Sequence, residues 1–175
     1  MWTRMLLIGL FAVLLGGCAT LQPDPAPPSQ DRGQPPRIVD AYAARVIRPG
    51  DTWMIFLRAE DPDGDMKSIT AELWQAGVGY YPTQVTMLKA VDAKEFSGYL
   101  FLQTPTGFNL NWDEFELTLI VRDSRTNRSQ PLILPFTFDL AANQVIPERW
   151  QEASNHQIAS LMFAIESSWF YNRLP

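Results

Sequence analysis

Residues 52 to 75 read TWMIFLRAEDPDGDMKSITAELWQ, and the period of this stretch decides the fold. In Thr52 to Glu60, Trp53, Ile55, Leu57 and Ala59 share one face of an extended chain. In Lys67 to Gln75, Ile69, Ala71 and Leu73 share one face, and Ser68, Thr70 and Glu72 the other. Alternation of this kind marks antiparallel strands with one face in a core. Between them, Asp61-Pro62-Asp63-Gly64-Asp65 has the residues of a tight connection. Met54 and Phe56 lie on the parity opposite Trp53 and Ile55, so this strand is apolar on both faces.

Working outward, the same period returns. Glu114 to Asp123 sets Phe115, Leu117, Leu119 and Val121 inward, and Leu132 to Phe138 groups Leu134, Phe136 and Phe138. Further strands are expected at Ile38 to Val46, Tyr81 to Lys89 and Phe96 to Gln103. Turn signals separate them at Pro49-Gly50-Asp51, Gly77 to Gly79 and Ser124 to Ser129. About seven short strands over roughly 100 residues predict a two-sheet antiparallel sandwich. The stretch Ala59 to Asp65 with the strand after it resembles the B strand, B–C loop and C strand of bacterial immunoglobulin-like, fibronectin III-like and cadherin-like modules. Leu117 to Asp123, a polar turn and Leu132 to Phe138 resemble their F strand, F–G loop and G strand. The resemblance spans residues 38–140 and implies a mainly β, seven-stranded immunoglobulin-like sandwich. It carries little information about function. Paired cysteines are missing, and Trp74 has the wrong parity to be the immunoglobulin core tryptophan.

Composition excludes several classes. Of 175 residues, 46% are apolar, which rules out disorder throughout. The single cysteine closes no bridge within the chain. A net charge of -5 opposes binding to nucleic acid and charge-driven adhesion to anionic membranes.

The N-terminus reads as an address. Arg4 precedes an apolar run, Met5 to Leu15, too short to span a bilayer comfortably. Leu15-Gly16-Gly17-Cys18 follows and resembles the lipobox of bacterial lipoproteins. The resemblance implies a signal peptide over residues 1–17, cleaved before Cys18, whose thiol then carries a diacylglycerol and whose amine carries an acyl chain such as palmitate. More than one buried chain gives stable anchoring without a transmembrane helix. In such lipoproteins an aspartate after the cysteine favours inner-membrane retention; with Ala19 there, the resemblance implies the outer membrane. Residues 18–37 hold six of the 14 prolines and almost no large apolar residue, the composition of an extended linker.

Two clusters carry chemistry. Asp61, Asp63 and Asp65, with Asp123 at the same end of the expected sandwich, offer the oxygens a hard cation such as calcium wants. The competing reading is a turn held by side-chain to backbone bonds, with no metal and no other cofactor. Residues 141–175 form the second. Pro147 is suited to open a helix, and Ile158, Leu161, Met162, Ile165 and Trp169 recur at helical spacing. A C-terminal α-helix is expected, docked on the sandwich, seated in a partner's groove or lying in the membrane interface. Trp150, Phe163, Trp169 and Phe170 are the candidate partner-binding residues.

No phosphate loop or hydrolase motif appears, and Glu114 and Glu116 sit together on a solvent face. His156, the only histidine, reads as a surface or capping residue. The expectation is a non-enzymatic envelope lipoprotein. It would be held to the membrane by lipid, facing the periplasm or the cell surface, and bind an envelope protein as an assembly module. Two alternatives stay open: a calcium-dependent adhesive or carbohydrate-binding module, and an accessory subunit of an envelope enzyme.

Overall fold

In the computed structural model, residues 33–106 and 113–166 are described. The chain divides between Asp31 and Arg32, and all described residues lie in the second part. The proposed signal peptide, Cys18 and most of the proline-rich linker lie outside the described residues.

Among the described residues, ten strands make two sheets. They are β1 (Arg37–Ala43), β2 (Val46–Ile47), β3 (Thr52–Glu60), β4 (Met66–Gln75), β5 (Gly79–Tyr80), β6 (Gln84–Met87), β7 (Glu95–Gln103), β8 (Glu114–Asp123), β9 (Leu132–Phe138) and β10 (Gln157–Leu161). One sheet runs β1-β3-β7-β10; the other runs β2-β9-β8-β4, with β5 and β6 both on the free side of β4. In immunoglobulin-like terms, β1, β3 and β7 stand as strands A, B and E, and β4, β8 and β9 as C, F and G. The seven expected strands are present. The count rises to ten for two reasons within the expected span. The stretch from Ile38 to Val46 splits as the chain crosses from one sheet to the other, and β5 adds a short pairing at the end of β4.

Alternation sets the core. Trp53, Ile55, Leu57 and Ala59 from β3 meet Ile69, Ala71 and Leu73 from β4 and Phe115, Leu117, Leu119 and Val121 from β8, all buried. The Trp53 ring lies tilted against Phe136 with centroids 4.2 Å apart, and its indole N–H donates to the Ala44 carbonyl at 2.9 Å. That bond satisfies a polar group inside an apolar layer.

The third addition corrects the sequence expectation for residues 141–175. The C-terminal α-helix does not form among the described residues. Pro147 precedes a single 3-10 turn, Glu148–Trp150; a second follows at Ala153–Asn155, and then comes β10. The physical reason is a competition of periods. Ala159, Leu161, Phe163 and Ile165 are buried at alternate positions, whereas Met162, part of the helical stripe, is 81% exposed. Extended chain wins because β10 pairs in parallel with the open edge of β7, next to E where an antiparallel D strand would stand. That pairing satisfies edge amides a helix would leave bare. Beyond β10 the chain crosses to the other sheet, where the Met162 amide donates to Gln84 Oε1 at 2.9 Å.

Docking on the sandwich, one of the three covers considered, is what the described part of this segment does. Trp150 and Ala153 bury Phe56 on the outer face of the first sheet, with Tyr42, Met54, Tyr99 and Ile146 around them. The rings of Phe56 and Trp150 lie 5.6 Å apart. Strand β3 is therefore buried on both faces, as its sequence requires.

Candidate functional site

The loop between β3 and β4 is held from beneath. The Asp61 amide donates to the Lys94 carbonyl at 2.8 Å, and the Met66 amide to the Ala93 carbonyl at 2.9 Å. Gly64 turns the chain at φ +72°, a left-handed conformation that suits glycine. This brings one carboxylate oxygen from each of Asp61, Asp63 and Asp65 within 4.8 Å of one another.

The three differ in environment. Asp61 is 2% exposed. Its Oδ1 accepts the Asp63 amide at 2.9 Å, while its Oδ2 is buried with no hydrogen-bond donor among the described residues. Asp65 Oδ1 is in the same condition, and Asp65 Oδ2 accepts the Ser124 hydroxyl. Asp63 Oδ2 accepts the Gln34 amide at 2.7 Å. Arg125 supplies positive charge at longer range, 3.5 Å from Asp63 Oδ2 and 3.7 Å from Asp65 Oδ2. Burial pushes the Asp61 carboxyl above its ordinary range, the Asp63 amide pulls it back in part, and repulsion from Asp65, Asp123 and Asp63 pushes it further up.

Asp123 stands near enough to repel Asp61, but its oxygens are spent elsewhere. Oδ1 accepts the Asn127 amide at 2.7 Å and Oδ2 the Asn127 side-chain amide at 2.6 Å, so it fastens the turn after β8. The cluster brings together three of the four candidate ligands and leaves Asp123 beside it.

The aromatic candidates divide. Trp150 is fully buried against Phe56, and Phe163 is buried with its ring edge-on to Tyr81. Both belong to the packing of the domain rather than to its surface. Trp169 and Phe170 lie outside the described residues.

His156 lines an open groove of about 410 Å³ with Arg58, Glu60, Asp92, Glu95 and Ser97. Serine, histidine and aspartate thus meet in one groove, yet not as a nucleophile and its base. Nε2 lies 3.3 Å from buried Asp92 Oδ1, and Nδ1 lies 3.2 Å from the Ser97 main-chain carbonyl. Both ring nitrogens are engaged, so neither is left to take a proton from the Ser97 hydroxyl. The pair instead ties the 3-10 turn at Ala90–Asp92 to the C-terminal segment.

Sequence reading overlooked one surface. Cross-strand register puts Val85, Thr70 and Ile120 in one row on the outer face of the second sheet, and Tyr80, Trp74, Glu116 and Pro135 in another. Ile133 and Met87 share this face by the same parity. Tyr80 is 77% exposed, and Val85, Met87 and Ile133 are also exposed. The signal was present in the sequence as valine, methionine and isoleucine at the solvent-facing positions of alternating strands.

No family model matches the chain, and no curated protein matches it either. Among solved structures it is similar to the PKD domain of an M14-like peptidase from Thermoplasmatales archaeon SCGC AB-540-F20. That likeness has 18% identity, covers 61% of this chain and 97% of that one, and has a TM-score of 0.39. It is also similar to the CARDB domain of a Pyrococcus furiosus protein solved with di-metal ions, at 10% identity, 59% and 87% coverage and a TM-score of 0.34. A third likeness is to a chain of the human seminal-plasma complex of zinc 2-glycoprotein and prolactin inducible protein. It has 11% identity, 59% and 97% coverage and a TM-score of 0.32. Likenesses this distant carry no argument about ligand or activity; the fold rests on the strand order itself.

Proposed function

We propose that the chain is a non-catalytic binding or assembly module of the cell envelope. It is tethered by lipid at Cys18 and makes contact through the outer face of its second sheet. The observation that supports this is an asymmetry. Among the described residues, those around Trp150 cover the outer face of the first sheet, whereas Tyr80, Val85, Met87 and Ile133 on the outer face of the second sheet are exposed. These apolar side chains stand among polar neighbours such as Glu72, Glu116 and Thr118, the mixture of apolar anchors and polar surroundings found at protein contacts. A tether confines such a surface near its partner, so a weak contact suffices. The test is crosslinking and capture from intact envelopes with the native chain and a Val85→Ser, Met87→Ser, Ile133→Ser variant whose fold is checked by circular dichroism. A partner captured by the native chain and lost from the folded variant supports the reading and identifies the complex, an envelope enzyme included. A partner captured equally by both refutes this face as the contact.

A second reading is favoured by the orphaned Asp61 Oδ2: the acidic loop holds a divalent cation of the calcium kind, as a calcium-dependent adhesive or carbohydrate-binding module would. Three carboxylates of hard oxygen, two of them with a buried oxygen lacking a donor among the described residues, fit such an ion. Asp61, Asp63 and Asp65 would hold it, and it would neutralise their mutual repulsion and rigidify the loop. An ion that binds only the folded chain raises its melting temperature. A rise with millimolar calcium that disappears in Asp61→Asn supports the reading; no rise counts against it.

A further inference from the structure

We propose that Asp63 serves two exclusive uses. It latches the segment leading into β1, Gly33–Pro36, onto the acidic loop, and a divalent cation bound at Asp61, Asp63 and Asp65 opens that latch. The proposal rests on the cation reading above, which itself stands on the buried Asp61 Oδ2 that has no donor among the described residues.

The latch is built from few atoms. Pro35 and Pro36 have no N–H, so Gln34 is the one residue from 34 to 36 with a main-chain donor, and it gives that donor to Asp63 Oδ2 at 2.7 Å. Arg125 Nη1 lies 3.5 Å from the same oxygen. Gly33 passes between them at φ +66°, so close that a Cβ there would fall 1.9 Å from Asp63 Oδ2 and 2.3 Å from Arg125 Nη1. The left-handed φ favours glycine, and a side chain there would have to push the tips of Asp63 and Arg125 aside.

The same features oppose a cation. Calcium sits ~2.4 Å from its oxygens. Held by these carboxylates, it places two positive charges beside a guanidinium and beside an amide hydrogen, all pointed at one anionic group. The Arg125 guanidinium and the Gln34 amide are then repelled from Asp63 by the ion that has taken over its charge. Arg125 is thus the chain's own counter-ion for these carboxylates, and the lead-in segment is the second group held there.

Linkage makes this reciprocal: the factor by which calcium weakens the latch is the factor by which the latch weakens calcium. Gly33→Ala strains the left-handed passage and crowds the tips of Asp63 and Arg125 away from it, and Arg125→Gln removes the counter-ion. Both are expected to bind calcium about 5- to 10-fold more tightly than the native chain, a coupling of ordinary size.

The test uses the full ¹⁵N-labelled chain in detergent micelles. Calcium affinity is read by titration calorimetry and the latch by hydrogen exchange at the Gln34 amide. The expected result is a Gln34 amide that is protected without calcium and exchanges about 5- to 10-fold faster with it, together with tighter calcium binding by both variants. Calcium binding with unchanged Gln34 exchange overturns the latch and leaves the cation reading standing. Calcium binding only by Gly33→Ala and Arg125→Gln supports the latch as what keeps the loop closed. No calcium binding by any of the three chains overturns both.

Discussion

Gly98 lies inside β7, and a side chain there is predicted to push the last strand away. The residue faces the core by parity, and nothing about its backbone demands glycine. A Cβ built on it falls 2.4 Å from the His156 carbonyl oxygen and 2.9 Å from Ile158 Cγ1. Real Cβ atoms do not approach closer than about 3 Å, so one element must yield by more than half an ångström. The carbonyl is poorly placed to yield, because it accepts the Tyr99 amide at 2.9 Å and its own side chain is held by Asp92. Two effects oppose each other in Gly98→Ala. Replacing glycine within a strand is worth about 0.5–1 kcal/mol of stability when there is space. Overpacking against a main chain costs about 1–3 kcal/mol. The clash is the larger, so the variant should lose about 1–2 kcal/mol, which lowers Tm by roughly 3 to 10 °C in a domain of this size. Urea unfolding followed by tryptophan fluorescence gives the free energy, and a thermal melt gives the shift. An alanine variant as stable as the native chain, or more so, would refute the close approach of β10 to β7.

Four further outcomes follow from packing and charge. Trp150→Ala should cost about 3–5 kcal/mol in urea unfolding, while Trp150→Phe costs less, because the indole N–H has no acceptor among the described residues to lose. Tyr81→Phe removes a hydroxyl that bonds both Gln75 and the Glu166 amide, a loss of about 1–2 kcal/mol. Val85→Lys and Met87→Lys, both on the exposed outer face, should leave stability within about 0.5 kcal/mol of native. The fourth concerns pH. Burial raises the Asp61 pKa in the folded chain, so the folded state keeps that proton to higher pH than the unfolded state. Its contribution is full below the unfolded value and is lost as pH rises through the folded one. In EDTA, Asp61→Asn should therefore gain on the native chain as a melt series moves from about pH 4 to about pH 7; a constant difference would show that Asp61 is not strained by its charge.

Much of the sandwich was legible because its strands carry period-two patterns that nothing else explains, and the two-sided apolarity of β3 foretold the cover over Phe56. The C-terminal segment was misread because both periods coexist there. Met162 and Ala164 are apolar at exposed positions of the segment that follows β10, which hid the alternation of Ala159, Leu161, Phe163 and Ile165. What decides between them is the unpaired edge of β7, a partner more than fifty residues away in sequence. A local clue existed in Gly98, since an isolated glycine within a strand pattern marks a close main-chain approach. The three loop aspartates were legible from spacing alone. Asp123 was not separable from them, because Asn127, four residues later, is an equally ordinary turn residue until its two bonds are seen. Gly33 looked like one more breaker in a proline-rich run; its role depends on Asp63 and Arg125, which only the folded chain brings near.

The parallel pairing of β10 with β7 also sets an order of events. A growing chain can assemble β1 to β9 before β10 has been made, and until then β7 presents a bare row of amides and carbonyls beside a half-filled core. Nascent sandwiches in that state are prone to join one another through the open edge, or to take a strand from a neighbour. Because the closing pair is distant in sequence, it forms slowly and late. Chains cut short before Gln157 are therefore expected to be sticky rather than merely less stable, and a chaperone that shields strand edges would matter most during this interval.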